Sequence, residues 1–143
     1  MKKLLILIIM LAVWGAPQAY AQGRHAFDPG KFEASLEQFI TMEVALTPQE
    51  AASFFPIYRD MRKKLMVYFD EGRRYRHVDI TDDKACEAAI KRRDNNDIKM
   101  KEIQQTYHNK FMRVLPAGKV LRIIRAEEKF HRQFFKRMAK ERR

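Results

Sequence analysis

The sequence predicts an all-α protein of four helices, two of which form a long helical hairpin. Apolar residues recur at three- and four-residue steps through most of the chain, which is typical of amphipathic helices. Only five glycines and five prolines occur among 143 residues, too few for the many turns of a β-sandwich or barrel. Hydrophobic residues make up 46% of the sequence, which favours a packed domain over a disordered chain. The length fits a single domain.

Residues 1–21 have the pattern of a cleaved secretory signal. Two lysines precede the apolar run Leu4–Val13, and Ala19-Tyr20-Ala21 matches an A-x-A cleavage site. The run is shorter than the roughly 20 residues that a membrane-spanning helix needs. We therefore expect export and a mature single helical domain, 22–143, without a membrane span. Loss of the two lysines lowers the net charge from +11 to +9.

Capping signals mark the first two helices. Asp28-Pro29 predicts the first start, with aspartate as the cap and proline in the first turn, and this helix ends near Ala45. A capping box, Thr47-Pro48-Gln49-Glu50, predicts the second start. Pro56 is expected to kink the second helix without ending it, because the apolar periodicity continues to about His77. That seam comprises Phe54, Tyr58, Met61, Leu65 and Tyr68.

The third helix is predicted from Asp82 to Leu115, with the Thr81 hydroxyl as its cap. Its middle, 92–97, is wholly polar, which indicates a segment that is exposed or bent. Leu115-Pro116 ends this helix, because a residue before proline avoids helical geometry. The fourth helix is predicted over about 116–141. Its apolar face comprises Val120, Ile123, Ile124, Phe130, Phe134 and Met138.

The opposite face of the fourth helix is strongly basic. From Pro116 onward ten basic residues stand against three acidic ones, so this segment holds most of the chain's net charge. The pattern fits either an ordinary solvated face or an electrostatic binding surface. We do not expect nucleic acid as the partner of an exported chain. A membrane surface is not expected either, because the apolar face that such a helix would need packs against the other helices. Acidic segments of unfolded or secreted proteins fit better, which makes these cations the candidate binding residues: Arg122, Arg125, Lys129, Arg132 and Lys136.

Glu127 and His131 stand four residues apart on the apolar face of the fourth helix. A carboxylate there must have a partner, because burying it unpaired costs several kcal/mol. One interpretation is a structural bond to an arginine or tyrosine of another helix. The alternative is a metal-ligand pair, with His108 or His77, in a metal-responsive sensor. Only one E-x-x-H element occurs, whereas di-iron bundles need two.

No catalytic or cofactor motif is present. The sequence lacks G-x-S-x-G, HExxH, CxxC and a phosphate-binding glycine-rich loop. We therefore expect neither an enzyme nor a cofactor. The lone Cys86 cannot form an intramolecular disulfide, which leaves a half-buried thiol or an intermolecular bridge.

A resemblance to a known family adds to this interpretation. Leu46-Thr47-Pro48-Gln49-Glu50 resembles the LTxxQ motif that gives its name to the Spy/CpxP family of periplasmic proteins, although Gln49 stands one place early. Leu115–Lys119 occupies the place of the family's second copy, but it keeps only the leucine and a nearby proline. Phe54–Tyr58 and the segment 114–137 are similar to a divergent Bacteroidetes-type branch.

The resemblance implies both a fold and an activity. Members of the family form long helical hairpins and often pair as cradle-like homodimers. Some are ATP-independent chaperones that hold unfolded proteins, and others restrain an envelope-stress sensor or sense metals. On this basis the basic face of the fourth helix would contact clients. A dedicated inhibitor of a stress sensor or a metal-responsive regulator is the alternative.

Overall fold

The computed structural model describes residues 28–141, and the predicted leader 1–21 and the segment 22–27 lie outside them. This part of the chain forms four α-helices without a strand, which confirms the all-α prediction. A short 3₁₀ turn, Tyr75–His77, follows the second helix. None of the four helices is long and apolar enough to cross a membrane. The helices are α1 (Pro29–Val44), α2 (Pro48–Arg74), α3 (Asp83–Val114) and α4 (Ala117–Glu141).

The predicted caps of α1 and α2 are formed. Asp28 Oδ1 accepts hydrogen bonds from the Gly30 and Lys31 amides at 2.9 and 3.2 Å. Thr47 Oγ1 accepts from the Glu50 amide at 3.2 Å, and Glu50 Oε2 accepts from the Thr47 amide at 2.9 Å. Because these four hydrogen bonds satisfy amides that have no partner within the helix, they fix where α1 and α2 begin.

The cap of α3 differs from the prediction. Asp82, rather than Thr81, is the N-cap, and its Oδ1 accepts from the Lys84 and Ala85 amides at 3.0 Å. The Thr81 hydroxyl instead donates to Asp79 Oδ1 at 2.7 Å. Because the Thr81 hydroxyl is bonded to Asp79 in the preceding turn, Asp82 caps the helix instead.

Two helix pairs build the domain. α2 lies along α3 as the predicted hairpin, and α1 lies along α4. Their apolar faces meet in one core near the α3–α4 turn. α2 continues through the exposed Pro56, and the predicted apolar face of α4 is buried or half-buried. The core side chains with at most 2% exposure include Leu36, Ile40, Val44, Phe54, Tyr58, Met61, Tyr107, Phe111, Ile123 and Ala126.

The far half of the hairpin extends beyond this core. No residue from Met66 to Thr106 is fully buried. The polar middle of α3 was expected to be exposed or bent, and it is exposed. Asn96 Nδ2 donates to Glu71 Oε2 at 2.9 Å and to Tyr75 Oη at 3.4 Å, which ties the two helices together there.

Candidate client-binding surface

Four of the five predicted cations lie around one shallow depression on α4. The depression has a volume of about 340 Å³ and is bounded on the α1 side by Glu43. Lys136 is exposed and lies about one turn further along, outside the depression. We call these five residues the α4 cationic surface: Arg122, Arg125, Lys129, Arg132 and Lys136.

Two members of the α4 cationic surface attach α4 to α1. Arg122 Nη2 donates to the Val44 carbonyl at 2.7 Å, at the end of α1 where the helix dipole is negative. Lys129 Nζ donates to Glu43 Oε1 at 2.6 Å and lies 5.8 Å from the centre of the Phe39 ring. Both side chains therefore stabilise the contact between α4 and α1.

The other three members are available to a partner. Arg125, Arg132 and Lys136 are exposed, and none forms an ion pair or hydrogen bond with any residue in 28–141. Their positive charges reinforce one another along the helix, because only two carboxylates, Glu43 and Glu128, border the depression. Such a one-signed surface attracts acidic chains over a distance of about 8–10 Å.

An apolar cleft lies beside the α4 cationic surface. It has a volume of about 220 Å³ and runs between α1 and α4. The Phe39 and Phe130 rings form its floor with their centres 5.4 Å apart, and Met42 at its edge is 74% exposed. The sequence analysis missed this cleft. Met42 stands three residues after Phe39, but the partner helix could not be identified from spacing alone. The cleft is lined by Ser35, Gln38, Phe39, Met42, Phe130, Gln133, Phe134 and Arg137.

The segment that resembles the family motif has a structural role in this chain. Leu46 is buried, Thr47 and Glu50 form the capping box, and Pro48 and Gln49 are exposed. Lys119 Nζ, from the place of the second motif, lies 2.6 Å from both Glu50 carboxylate oxygens. The Lys119 ammonium and the Thr47 amide hold the pKa of Glu50 below its usual value. The two places are thus joined across the fold.

A half-buried polar cluster surrounds Glu127. Tyr58 Oη donates to Glu127 Oε1 at 3.0 Å, Arg62 Nη1 donates to the same oxygen at 3.4 Å, and His131 Nε2 lies 3.8 Å away. Burial alone would raise the pKa of Glu127, but His131, Tyr58 and Arg62 together hold it below its usual value. Burial, followed by the Glu127 charge, raises the pKa of Tyr58.

This cluster matches the structural interpretation of Glu127. The expected partner was an arginine or a tyrosine of another helix, and the Glu127 carboxylate is bonded to one of each on α2. A metal ion at Glu127 and His131 would face the Arg62 guanidinium, which repels it. No group of three metal-ligating side chains occurs in the part of the chain that the structure describes.

Acidification is expected to destabilise the fold in two steps. Burial, the largest influence, lowers the pKa of the half-buried His108. The unfolded chain therefore binds this proton first as the pH falls below about 6.5, and stability decreases. Glu127 stabilises the fold fully above its unfolded pKa of about 4.3, and that contribution is lost as the pH falls through its lower folded pKa.

Urea unfolding at about pH 7.5 and about pH 5.5 measures the first step. His108→Gln should reduce the difference in stability between the two pH values. The exposed and non-titrating Gln105, three residues before His108 on α3, provides the control, and Gln105→Ala should leave that difference unchanged. An undiminished difference in the His108 variant would contradict the assignment.

No protein-family model, no curated protein and no solved structure matches this chain. The resemblance to the Spy/CpxP family therefore stays a prediction from the motif residues.

Proposed function

We propose that this chain is a periplasmic, ATP-independent holdase-type chaperone or envelope-stress adaptor that binds unfolded proteins. The observation that carries the proposal is the α4 cationic surface beside an apolar cleft. Three exposed cations without partners in residues 28–141 belong to this surface, and the ammonium of its Lys129 lies over the Phe39 ring of the cleft. Unfolded chains present both acidic groups and apolar side chains, so they complement both parts of this surface.

The two parts would act at different distances. The cations attract an acidic segment before contact, which raises the rate of encounter. The cleft then removes apolar client side chains from water, at about 25 cal/mol for each Å² buried. Met42 adapts to different side chains because methionine is flexible and polarisable. Shallow contacts of this kind hold a client without fixing its conformation.

Export and pairing belong to the same proposal. The leader pattern in 1–21 supports delivery to the periplasm, where a chaperone without ATP would be needed. The resemblance to the Spy/CpxP family supports a homodimer, in which two copies of the α4 cationic surface would act on one client. A stress adaptor would use the same surface against one acidic partner.

Suppression of aggregation tests this function. Two unrelated model clients are unfolded and diluted with the mature chain, without ATP, at about 20 mM and about 500 mM salt. We expect light scattering to be suppressed for both clients at low salt and less at high salt, because salt screens the α4 cationic surface. Lack of suppression for both clients would reject the holdase and leave the dedicated adaptor as the alternative. Suppression that salt does not change would reject the electrostatic part.

A further inference from the structure

A second, larger groove lies on the other side of α4, where the hairpin separates from the α1–α4 pair. Its volume is about 1170 Å³, larger than the 300–1,000 Å³ usual for small-molecule pockets. One wall is formed by the distal half of α2, and the others by α3, the start of α1 and the end of α4. We call it the hairpin groove. The α2 wall is lined by Arg62, Met66, Tyr68, Phe69, Asp70, Gly72 and Arg73 and, in the turn that follows α2, by Tyr75 and Arg76.

The α2 wall of the hairpin groove has a regular helical spacing. Five of its residues, Arg62, Met66, Phe69, Arg73 and Arg76, follow one another at steps of four, three, four and three, so they form a single seam on one face. The apolar members, Met66 and Phe69, lie in the middle of this seam, and helices pack against one another along seams of this spacing. The seam extends about 20 Å, at 1.5 Å for each residue of helix. A length of this order corresponds to about four turns of a partner helix.

Apolar side chains in the middle of the groove lack cover. Phe69 is 51% exposed and Phe135, across the groove on α4, is 67% exposed. Phe32 and Met100 also line the groove. Exposed aromatic side chains that line one groove are typical of a docking site.

Arginines stand at the outer end of this apolar middle. Arg73, Arg76 and Arg93 lie there beside Asp70 and Asp97, whereas Arg62 at the inner end is half-buried and bonded to Glu127. Arg73 and Arg93 make only long ion pairs with Asp70 and Asp97, at 3.8 and 4.0 Å between exposed side chains. Exposed pairs of this kind contribute about 0–1 kcal/mol, so they exchange readily for a partner's carboxylates. Arg76 forms no ion pair with any residue in 28–141.

We propose that the hairpin groove binds an amphipathic helix of a partner protein, with a short apolar stripe and acidic residues at one end. The seam on α2 favours a helix, the exposed Phe69 and Phe135 supply its apolar contacts, and the arginines at the outer end complement its acidic residues. The interaction does not depend on the α4 cationic surface, because the two sites share no residue. It gives the chain a specific partner in addition to unfolded clients.

A designed peptide of about 18 residues, long enough to form a helix, tests the proposal. It carries leucines at heptad spacing, glutamates near one end and a fluorescent label. The expected result with the mature chain is a Kd of about 10 µM by fluorescence anisotropy. Phe69→Ser with Phe135→Ser should weaken binding about tenfold or more. The control, Val67→Ser with Ile98→Ser, changes exposed side chains outside the groove and should bind like the wild type.

Three further probes separate the chemistry of the ligand. A peptide with lysines in place of the glutamates should bind at least about tenfold more weakly. A peptide with two central prolines, which cannot form the helix, should also lose binding. Equal binding of either peptide would overturn the proposal, and so would failure of the original peptide to bind. Sodium laurate that binds the groove when the peptide does not would reject a partner helix in favour of an acyl ligand. Reversal of Arg125, Arg132 and Lys136 should leave peptide binding intact, which separates this result from the chaperone test.

Discussion

Truncation of Phe111 to alanine is expected to lower the free energy of unfolding by about 3–5 kcal/mol. Phe111 is 1% exposed, and its ring centre lies 4.8 Å from that of Phe54 and 6.3 Å from that of Tyr58. It therefore joins α3 to α2 at the centre of the core. The loss combines the apolar area that is no longer buried with the cavity that remains. Urea unfolding followed by far-UV circular dichroism measures it.

The adjacent Met112 provides the control for this variant. Met112 stands one position further along α3 and is 47% exposed. Met112→Ala should change stability by only about 0.5 kcal/mol, because alanine suits a helix and little burial is lost. Similar losses for Phe111→Ala and Met112→Ala would contradict the shared core.

Reversal of three exposed cations is expected to abolish client binding while the fold is kept. Arg125→Glu, Arg132→Glu and Lys136→Glu replace the members of the α4 cationic surface that have no partner within residues 28–141. Arg122 and Lys129 stay unchanged, because they attach α4 to α1. Anisotropy of a labelled unfolded acidic client should show affinity weakened by about 100-fold or more, since attraction becomes repulsion.

A matched triple reversal on α3 separates local charge from net charge. Lys84→Glu, Arg92→Glu and Arg113→Glu alter the net charge by the same amount, at exposed residues that line neither the depression nor the apolar cleft. This control should keep most of the affinity for the client. Equal losses in the two triple variants would show that only the overall charge acts. Full binding by the first variant would show that the α4 cationic surface is an ordinary solvated face.

The helices could be predicted because their ends depend on neighbours in the sequence. Thr47 and Glu50 lie one turn apart, so their reciprocal bonds follow from spacing alone. The cap of α3 was misassigned at Thr81 because two aspartates compete within the same turn. Asp79 takes the threonine hydroxyl and Asp82 caps the helix, and only the turn geometry decides between them.

The contacts between helices that are distant in the sequence could not be predicted in this way. The burial of Glu127 called for a partner, but Tyr58 and Arg62 are 69 and 65 residues away in the chain. The periodicity also placed five cations on one face of α4 without showing which of them α1 engages. That division depends on where the end of α1 lies, since Arg122 bonds to its last carbonyl group.

The most direct test of the account compares one client in its unfolded and folded states. Reduced and carboxamidomethylated α-lactalbumin remains unfolded without added charge, whereas the native protein has the same sequence with its side chains packed. We predict that the mature chain binds the unfolded form, more weakly at high salt, and leaves the native form unbound. Equal binding of both forms, or binding of neither, would contradict the claim that the α4 cationic surface and its cleft recognise unfolded protein.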